Sequence, residues 1–122
     1  MTPTRVLIAD DSYLFGDAVE LILTADARIQ VVGRALDGAQ AVALARELDP
    51  DVVLLDISMP GVGGIEAIEA MLRDDAGRRV LVLSGSADPA DRAKAREAGA
   101  VGYLMKEQIA DELVPGVLAA AG

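Results

Sequence analysis

Reactive polar side chains follow four short apolar runs of this chain, each at the point where the run ends. They comprise an acidic pair, a third aspartate, a serine and a lysine: Asp10, Asp11, Asp56, Ser84 and Lys106. Three carboxylates held together either raise one another's pKa or bind a cation, and a few oxygen ligands with room for water suit Mg²⁺. With a cation bound, one carboxylate could attack a phosphoryl group while the serine and the lysine contact its oxygens. These residue types suit an aspartyl-phosphate site, provided that the fold brings them together.

The apolar runs are predicted to be buried strands. Val52–Leu55 is too short for a helix and half of it is β-branched, so it is predicted to be buried on both faces, within a strand that spans Asp51–Asp56. Pro60 and Gly61 beyond it predict a loop. The other predicted strands are Val6–Ala9, Val80–Leu83 and Gly102–Met105, with a weaker one at Gln30–Gly33 that suits a sheet edge.

Segments between the strands carry apolar residues three and four positions apart, which is the spacing of one helix face. The predicted helices are Ser12–Ala25, Ala39–Leu48, a third from near Gly64 to Asp74, Asp88–Ala98, and a last one over roughly Asp111–Ala121. Asp88 and Pro89 make a strong helix start, but that helix offers mainly alanine to the core, which predicts thin packing and mobility. Pro115 falls inside the last helix, which should therefore start late or kink.

Alternation of strands and helices predicts a parallel sheet covered by helices on both faces, with right-handed crossovers. All strands of such a sheet end at the same edge, so the reactive side chains become neighbours in space although they are dispersed in sequence. The prediction is one α/β domain over residues 1–122, with a site at a topological switch point.

Composition excludes several classes of function. The formal net charge is −9, from 20 acidic and 11 basic residues, which disfavours nucleic-acid binding because phosphate contacts need a clustered positive surface. Histidine is missing from the sequence, so its chemistry depends on carboxylates, hydroxyls and lysine. The chain also lacks cysteine, a signal peptide is not visible, and the apolar runs are too short for a membrane span, which together suggest the cytoplasm.

In this order and at these strand ends, the motifs resemble the receiver domain of two-component response regulators over essentially the whole chain. The segments Val6–Asp11, Gln30–Gly33 and Gly102–Lys106 are most similar to the NarL/FixJ-type subfamily. The resemblance implies a flavodoxin-like (βα)5 fold, a doubly wound parallel sheet of five strands in the order 2-1-3-4-5.

The resemblance also implies roles for single residues. Asp56 matches the phosphoacceptor, and Mg²⁺ would be bound by Asp10, Asp11, Asp56 and the backbone carbonyl of Ser58. Ser84 and Lys106 match catalytic positions, and Ser84 and Tyr103 match the pair that switches conformation. Ser86 is interpreted as a loop residue near the site that takes no part in it.

A domain of this family would catalyse its own phosphorylation and dephosphorylation at Asp56, but it would act mainly as a signalling switch. The implied partner is a sensor histidine kinase, with a possible homodimer on phosphorylation and no nucleic acid or membrane bound by the domain itself. Its output would be transcription, through an effector domain outside this chain.

Three positions depart from the pattern of many family members. Glu107 stands where a proline often follows the lysine, and Gly63 stands where an aspartate is common. Pro115 and Gly116 are unusual in the last helix, which is a common pairing surface in the family.

The same residues also fit other interpretations. The aspartates could serve as helix caps or turn residues. A dehalogenase-type phosphatase would need an aspartate where Ser58 stands, and in a flavodoxin Asp10 and Asp11 would repel the cofactor's phosphate. A receiver-fold protein-interaction module that stands alone or works without phosphorylation stays open as the alternative function.

Overall fold

The computed structural model describes residues 2–58 and 63–122, and within them strands and helices alternate as predicted. The elements are β1 (Thr4–Ala9), α1 (Tyr13–Thr24), β2 (Ile29–Ala35), α2 (Gly38–Leu48), β3 (Val52–Asp56), α3 (Gly64–Asp74), β4 (Val80–Ser84), α4 (Pro89–Ala98), β5 (Gly102–Met105) and α5 (Ile109–Ala121). The loop predicted at Pro60 and Gly61 lies outside the described residues. Among the helices described, none is long and apolar enough to span a membrane.

The strands form one parallel sheet in the order β2-β1-β3-β4-β5, which confirms the flavodoxin-like prediction. Every residue of β3 and β4 is buried, whereas β2 lies at an edge and is partly exposed, as its weaker pattern predicted. Since the strands are parallel, β1, β3, β4 and β5 all present their carboxyl ends at the same edge of the sheet.

The two faces of the sheet carry separate hydrophobic cores. On β3, Val53 and Leu55 point to the core under α2, α3 and α4, while Val52 and Leu54 point to the core under α1 and α5. This is the two-residue alternation of a strand, applied to a run that is apolar throughout because both faces are covered.

Capping residues set where three of the helices begin. Ser12 accepts a hydrogen bond from the Phe15 N–H at 3.2 Å, and Asp37 caps α2 in the same way. Asp88 accepts one from the Ala90 N–H at 2.9 Å, with Pro89 as the first helical residue, so the predicted start of α4 is confirmed. Gly99 then ends α4 at a φ of 111°, a backbone conformation that favours glycine.

Of the two alternatives predicted for the last helix, a late start or a kink at Pro115, the late start is wrong. Helix α5 begins at Ile109, directly after a 3-10 turn over Lys106–Gln108, and runs through Pro115. Proline removes the N–H that would bond to the Asp111 carbonyl, and both residues are exposed, so water can satisfy that carbonyl. Gly116 fits because a Cβ there would come within 3.0 Å of a methyl group of Leu104.

Candidate functional site

Two buried aspartates and a lysine meet at the carboxyl edge of the sheet. Asp10 and Asp56 are only 3% and 2% exposed, and they follow or end the neighbouring strands β1 and β3. Lys106 Nζ lies 2.9 Å from Asp56 Oδ2 and 3.1 Å from Asp10 Oδ2. The lysine follows β5, two strands away from β3, so its long side chain crosses the end of β4 to reach both carboxylates.

Each buried carboxylate uses one oxygen to hold the turn that follows it. The Ser12 N–H donates to Asp10 Oδ1 at 2.8 Å, and the Ser58 N–H donates to Asp56 Oδ1 at the same distance. These are turns in which an aspartate bonds to the backbone two residues on. The turn interpretation of these aspartates thus accounts for one oxygen of each, and the second oxygen of each faces Lys106.

The three aspartates at this edge have the chemistry of a divalent cation site. One carboxylate oxygen from each of Asp10, Asp11 and Asp56 lies within 4.8 Å of the others, and Asp11 is exposed, which leaves access from solvent. Asp10 Oδ2 is buried and lacks a hydrogen-bond donor among the described residues, because the angles of its contact with Lys106 are not those of a hydrogen bond. Lys106 balances one of the three charges, so the donor set fits Mg²⁺.

Lys106 stays charged in this setting. Burial alone would lower the pKa of its ammonium group, but the hydrogen bond to Asp56 and the close negative charge of Asp10 outweigh burial, and the net effect is a raised pKa. The ring of Phe15 also lies against it, with Nζ 4.5 Å from the ring centroid. The ammonium therefore contacts two carboxylates and an aromatic face.

Ser84 and Tyr103 lie beside this cluster and are linked through a third residue. Ser84 ends β4, is fully buried, and accepts a hydrogen bond from the Ser86 N–H at 3.0 Å. Tyr103 Oη donates to the carbonyl of Ser86, also at 3.0 Å. In the described part of the chain, the Ser84 hydroxyl makes no hydrogen bond to Asp56 or Lys106.

Ser86 is the residue whose connections the sequence interpretation missed. Besides its backbone bonds to Ser84 and Tyr103, its hydroxyl donates to Asp91 Oδ2 at 2.5 Å and accepts from the Asp88 N–H at 3.2 Å. It therefore joins the end of β4, the start of α4 and the β5 tyrosine. Its spacing ahead of the Asp88 cap was the one available signal, and that spacing does not tell which way a loop hydroxyl points.

Comparison with known proteins identifies relatives of the whole chain. The family model described as the response regulator receiver domain matches residues 6–117. The nitrate/nitrite response regulator protein NarP of Escherichia coli is 38% identical over 120 residues, which are 98% of this chain and 56% of NarP. The transcriptional regulatory protein LiaR of Bacillus subtilis is 38% identical over 117 residues, 96% of this chain and 56% of LiaR. The chain thus spans about half the length of these curated relatives.

Solved structures agree with the sequence relatives. The signal receiver domain of a NarL response regulator from Mycobacterium tuberculosis superposes with a TM-score of 0.94 at 38% identity, and covers 99% of this chain and 98% of that one. A chain of the CheX–CheY–BeF3–Mg²⁺ complex of Borrelia burgdorferi superposes with a TM-score of 0.89 at 26% identity, covering 97% of this chain and 89% of that one.

Proposed function

Since the chain belongs to the receiver-domain family of response regulators, we propose that it takes a phosphoryl group onto Asp56 and changes conformation in response. The observation that carries this proposal is the placement of Asp56, buried at the end of β3 with one oxygen held by the Ser58 N–H and the other by Lys106. A carboxylate fixed in this way presents a preformed nucleophile to the mouth of the site.

The proposed reaction is phosphoryl transfer from a phosphohistidine of a sensor histidine kinase. The Asp56 carboxylate attacks phosphorus, the P–N bond breaks, and its electron pair returns to the imidazole nitrogen. Lys106 then contacts a phosphoryl oxygen in place of Asp56 Oδ2, and Ser84 donates a hydrogen bond to another. The product is an acyl phosphate on Asp56, which water later hydrolyses at the same site.

Asp10, Asp11 and Asp56, with the backbone carbonyl of Ser58, are the residues that would hold Mg²⁺. The cation would offset the charge of the phosphoryl oxygens as they approach three carboxylates. The Asp10 oxygen that accepts no hydrogen bond among the described residues and the net negative charge of the cluster support this assignment. Further support comes from the Borrelia burgdorferi CheY complex, which contains both Mg²⁺ and BeF3 and resembles this chain.

Phosphorylation would be transmitted through Ser84 and Tyr103. When Ser84 turns toward the phosphoryl group, it leaves the Ser86 N–H, and the face formed by α4, β5 and α5 rearranges. We propose that this face then pairs with a second copy and releases an effector domain outside this chain that controls transcription. The curated relatives are about twice as long as this chain and are named as regulators, which supports a transcriptional output. We also propose that the protein acts in the cytoplasm.

The experiment is intact-mass measurement after incubation with Mg²⁺ and a small phosphodonor such as acetyl phosphate. We expect one added phosphoryl group in the wild type and none in Asp56→Ala or after chelation of Mg²⁺. Asp51→Ala, at the opposite end of the same strand, is the matched control and should be phosphorylated normally. Phosphorylation of Asp56→Ala would refute the assignment, and failure of the wild type would favour the interaction module that works without phosphorylation.

Asp11 should matter more for Mg²⁺ than Asp10. Asp11 is exposed and free to coordinate directly, whereas Asp10 is buried and already holds the Ser12 N–H and faces Lys106. Titration of Mg²⁺ followed by tyrosine fluorescence should therefore show weaker binding in Asp11→Ala than in Asp10→Ala. Equal losses in the two variants would mean that the two aspartates contribute alike.

A further inference from the structure

The half-buried ring of Phe15 completes the surroundings of the Lys106 ammonium. Lys106 Nζ lies 4.5 Å from the ring centroid, while two carboxylate oxygens lie within 3.1 Å of the same atom. An ammonium group has three N–H donors, and the ring faces a side of it that the two carboxylates leave open. A cation within about 6 Å of a ring centroid is attracted by the electron-rich face.

Phe15 reaches this place because of where α1 begins. Its N–H bonds to the Ser12 hydroxyl, which puts it in the first turn of the helix, directly after the acidic pair. Side chains on a helix tilt toward its N-terminus, so the ring of Phe15 projects back to the strand ends. The segment that carries two of the site's carboxylates therefore also carries the ring that covers the lysine.

We infer that Phe15 is a positioning residue for Lys106, and that it acts through the attraction between its ring and the ammonium group. This inference rests on the proposed phosphoryl transfer, in which Lys106 must leave Asp56 Oδ2 for a phosphoryl oxygen. A lysine side chain has many rotamers, and the ring restricts Nζ to those that point into the site. An aliphatic side chain of similar size would not supply this restriction.

The composition of the chain allows a direct test of the ring's charge distribution. Phe15 is the single phenylalanine in the sequence, so phenylalanine analogues carrying one, two or three fluorine atoms label this ring alone. Fluorine withdraws electron density from the ring face and changes its size little. We expect the phosphorylation rate to fall stepwise with each fluorine, by about threefold to tenfold over the series. A rate independent of fluorination would overturn the inference.

Point variants separate the effect of the aromatic ring from the effect of side-chain size. Phe15→Leu keeps an apolar side chain and should slow phosphorylation by about threefold to tenfold, while Phe15→Tyr should restore the rate. In a Lys106→Met background, Phe15→Leu should have no further effect, because the cation is gone. An equal loss in both backgrounds would show that Phe15 acts by packing alone, which would contradict the inference.

A spectroscopic signal reports on the contact without phosphorylation. The lysines of the sequence are Lys94 and Lys106, and Lys94 is exposed on α4, so it serves as an internal reference. The ring should shift the Lys106 Hε resonances upfield in the wild type and in Phe15→Tyr, but not in Phe15→Leu, with Lys94 unchanged throughout. Absence of this shift refutes the positioning role. If the shift is present in a wild type that accepts no phosphoryl group, the proposed function fails and the contact stands.

Discussion

Helices α3 and α4 pack side by side on one face of the sheet, but they are held there by different forces. Helix α3 buries Ala67, Ile68 and Met71, whereas Ala95 is the one buried residue of α4, all ten residues of which the structure describes. Burying a large aliphatic side chain stabilises by about 1.5–3 kcal/mol, and a single alanine contributes far less. The part of the site next to α3 is therefore anchored by apolar burial, while the part next to α4 has little of it, and the mobility expected of α4 stays a prediction.

Polar contacts take the place of apolar ones at the start of α4. The Ser86 hydroxyl holds Asp91 and the Asp88 N–H, and Arg92 lies 5.0 Å from the ring centroid of Tyr103. Hydrogen bonds of this kind can be exchanged for others at small net cost, and a helix held by them can respond to a new charge at Asp56. Apolar burial offers no such exchange, so we expect α3 to keep its position in both states.

The largest expected effect on the free energy of unfolding comes from a change in α3. Ile68→Ala removes a fully buried side chain from the core under α3 and should lower the free energy of unfolding by about 2–5 kcal/mol. The measurement is urea unfolding by circular dichroism with linear extrapolation to water. The phosphorylation rate of the folded fraction should stay near wild type, because α3 does not carry the reacting groups.

Ala95→Gly is the matched change in α4. It removes the side chain of the one buried residue of that helix and increases backbone freedom in the unfolded state. The free energy of unfolding should therefore fall by about 1 kcal/mol. If Ala95→Gly destabilised the protein as much as Ile68→Ala, the two helices would be equally anchored and the comparison would fail.

The sequence was sufficient to predict the anchored parts of the molecule. Runs such as Val52–Leu55 are apolar throughout, and strands buried on both faces need that composition. Once they alternate with helices, parallel pairing follows, and with it the meeting of Asp10, Asp56 and Lys106 at one edge. The sheet order itself came from the family resemblance, and the structure confirms it.

The features that the sequence did not predict depend on the orientation of side chains and on the exposure of one carbonyl group, which residue types alone do not determine. Phe15 has no role in the sequence interpretation, because its ring faces Lys106 only through its place in the first turn of α1. Ser86 lies in a loop, where the same hydroxyl could face solvent or Asp91. Pro115 suggested a late helix start, because the exposure of the Asp111 carbonyl cannot be deduced before the helix is docked.

An intermediate effect on the free energy of unfolding is expected from a change in the loop between the site and α4. Ser86→Ala removes the hydroxyl that holds Asp91 and the Asp88 N–H, and should lower the free energy of unfolding by about 0.5–1.5 kcal/mol. Amide hydrogen exchange in the first turn of α4 should become faster, and exchange in α3 should not change. Faster exchange in both helices would mean that the loss is global and that the hydroxyl does not act on α4 alone.

Ser84→Ala is the informative partner of that variant. It keeps the contacts of the Ser86 hydroxyl with Asp91 and the Asp88 N–H, but it removes the hydroxyl that accepts the Ser86 N–H and that would donate to the phosphoryl group. On addition of beryllofluoride and Mg²⁺, chemical shifts in α4 and at Tyr103 should change in Ser86→Ala and stay nearly constant in Ser84→Ala. If both variants respond like the wild type, Ser84 does not couple Asp56 to α4.

The smallest effect concerns the polar link between the two anchored helices, α2 and α3. Arg46 Nε lies 2.5 Å from Asp74 Oδ2, and a second guanidinium nitrogen lies 3.1 Å from Oδ1. The hydrogen bond from Arg46 lowers the pKa of the Asp74 carboxyl below its ordinary value of 3.8. Both side chains face solvent, so salt should weaken the pair further.

A carboxyl whose pKa is lower in the folded state stabilises that state when it is ionised. The contribution of Asp74 is therefore fully present above its ordinary pKa of 3.8, and it is lost as the pH falls through the lowered pKa of the folded state. Unfolding free energies of wild type and Asp74→Asn should differ slightly at pH 7 and converge as the pH falls through the lowered pKa of the folded state. Glu69→Gln, which removes another exposed carboxylate of α3, is the control for the loss of one negative charge on that helix. A difference between wild type and Asp74→Asn that persists in acid, or that grows there, would show that the ion pair with Arg46 is not its source, and that apolar contacts alone join α2 to α3.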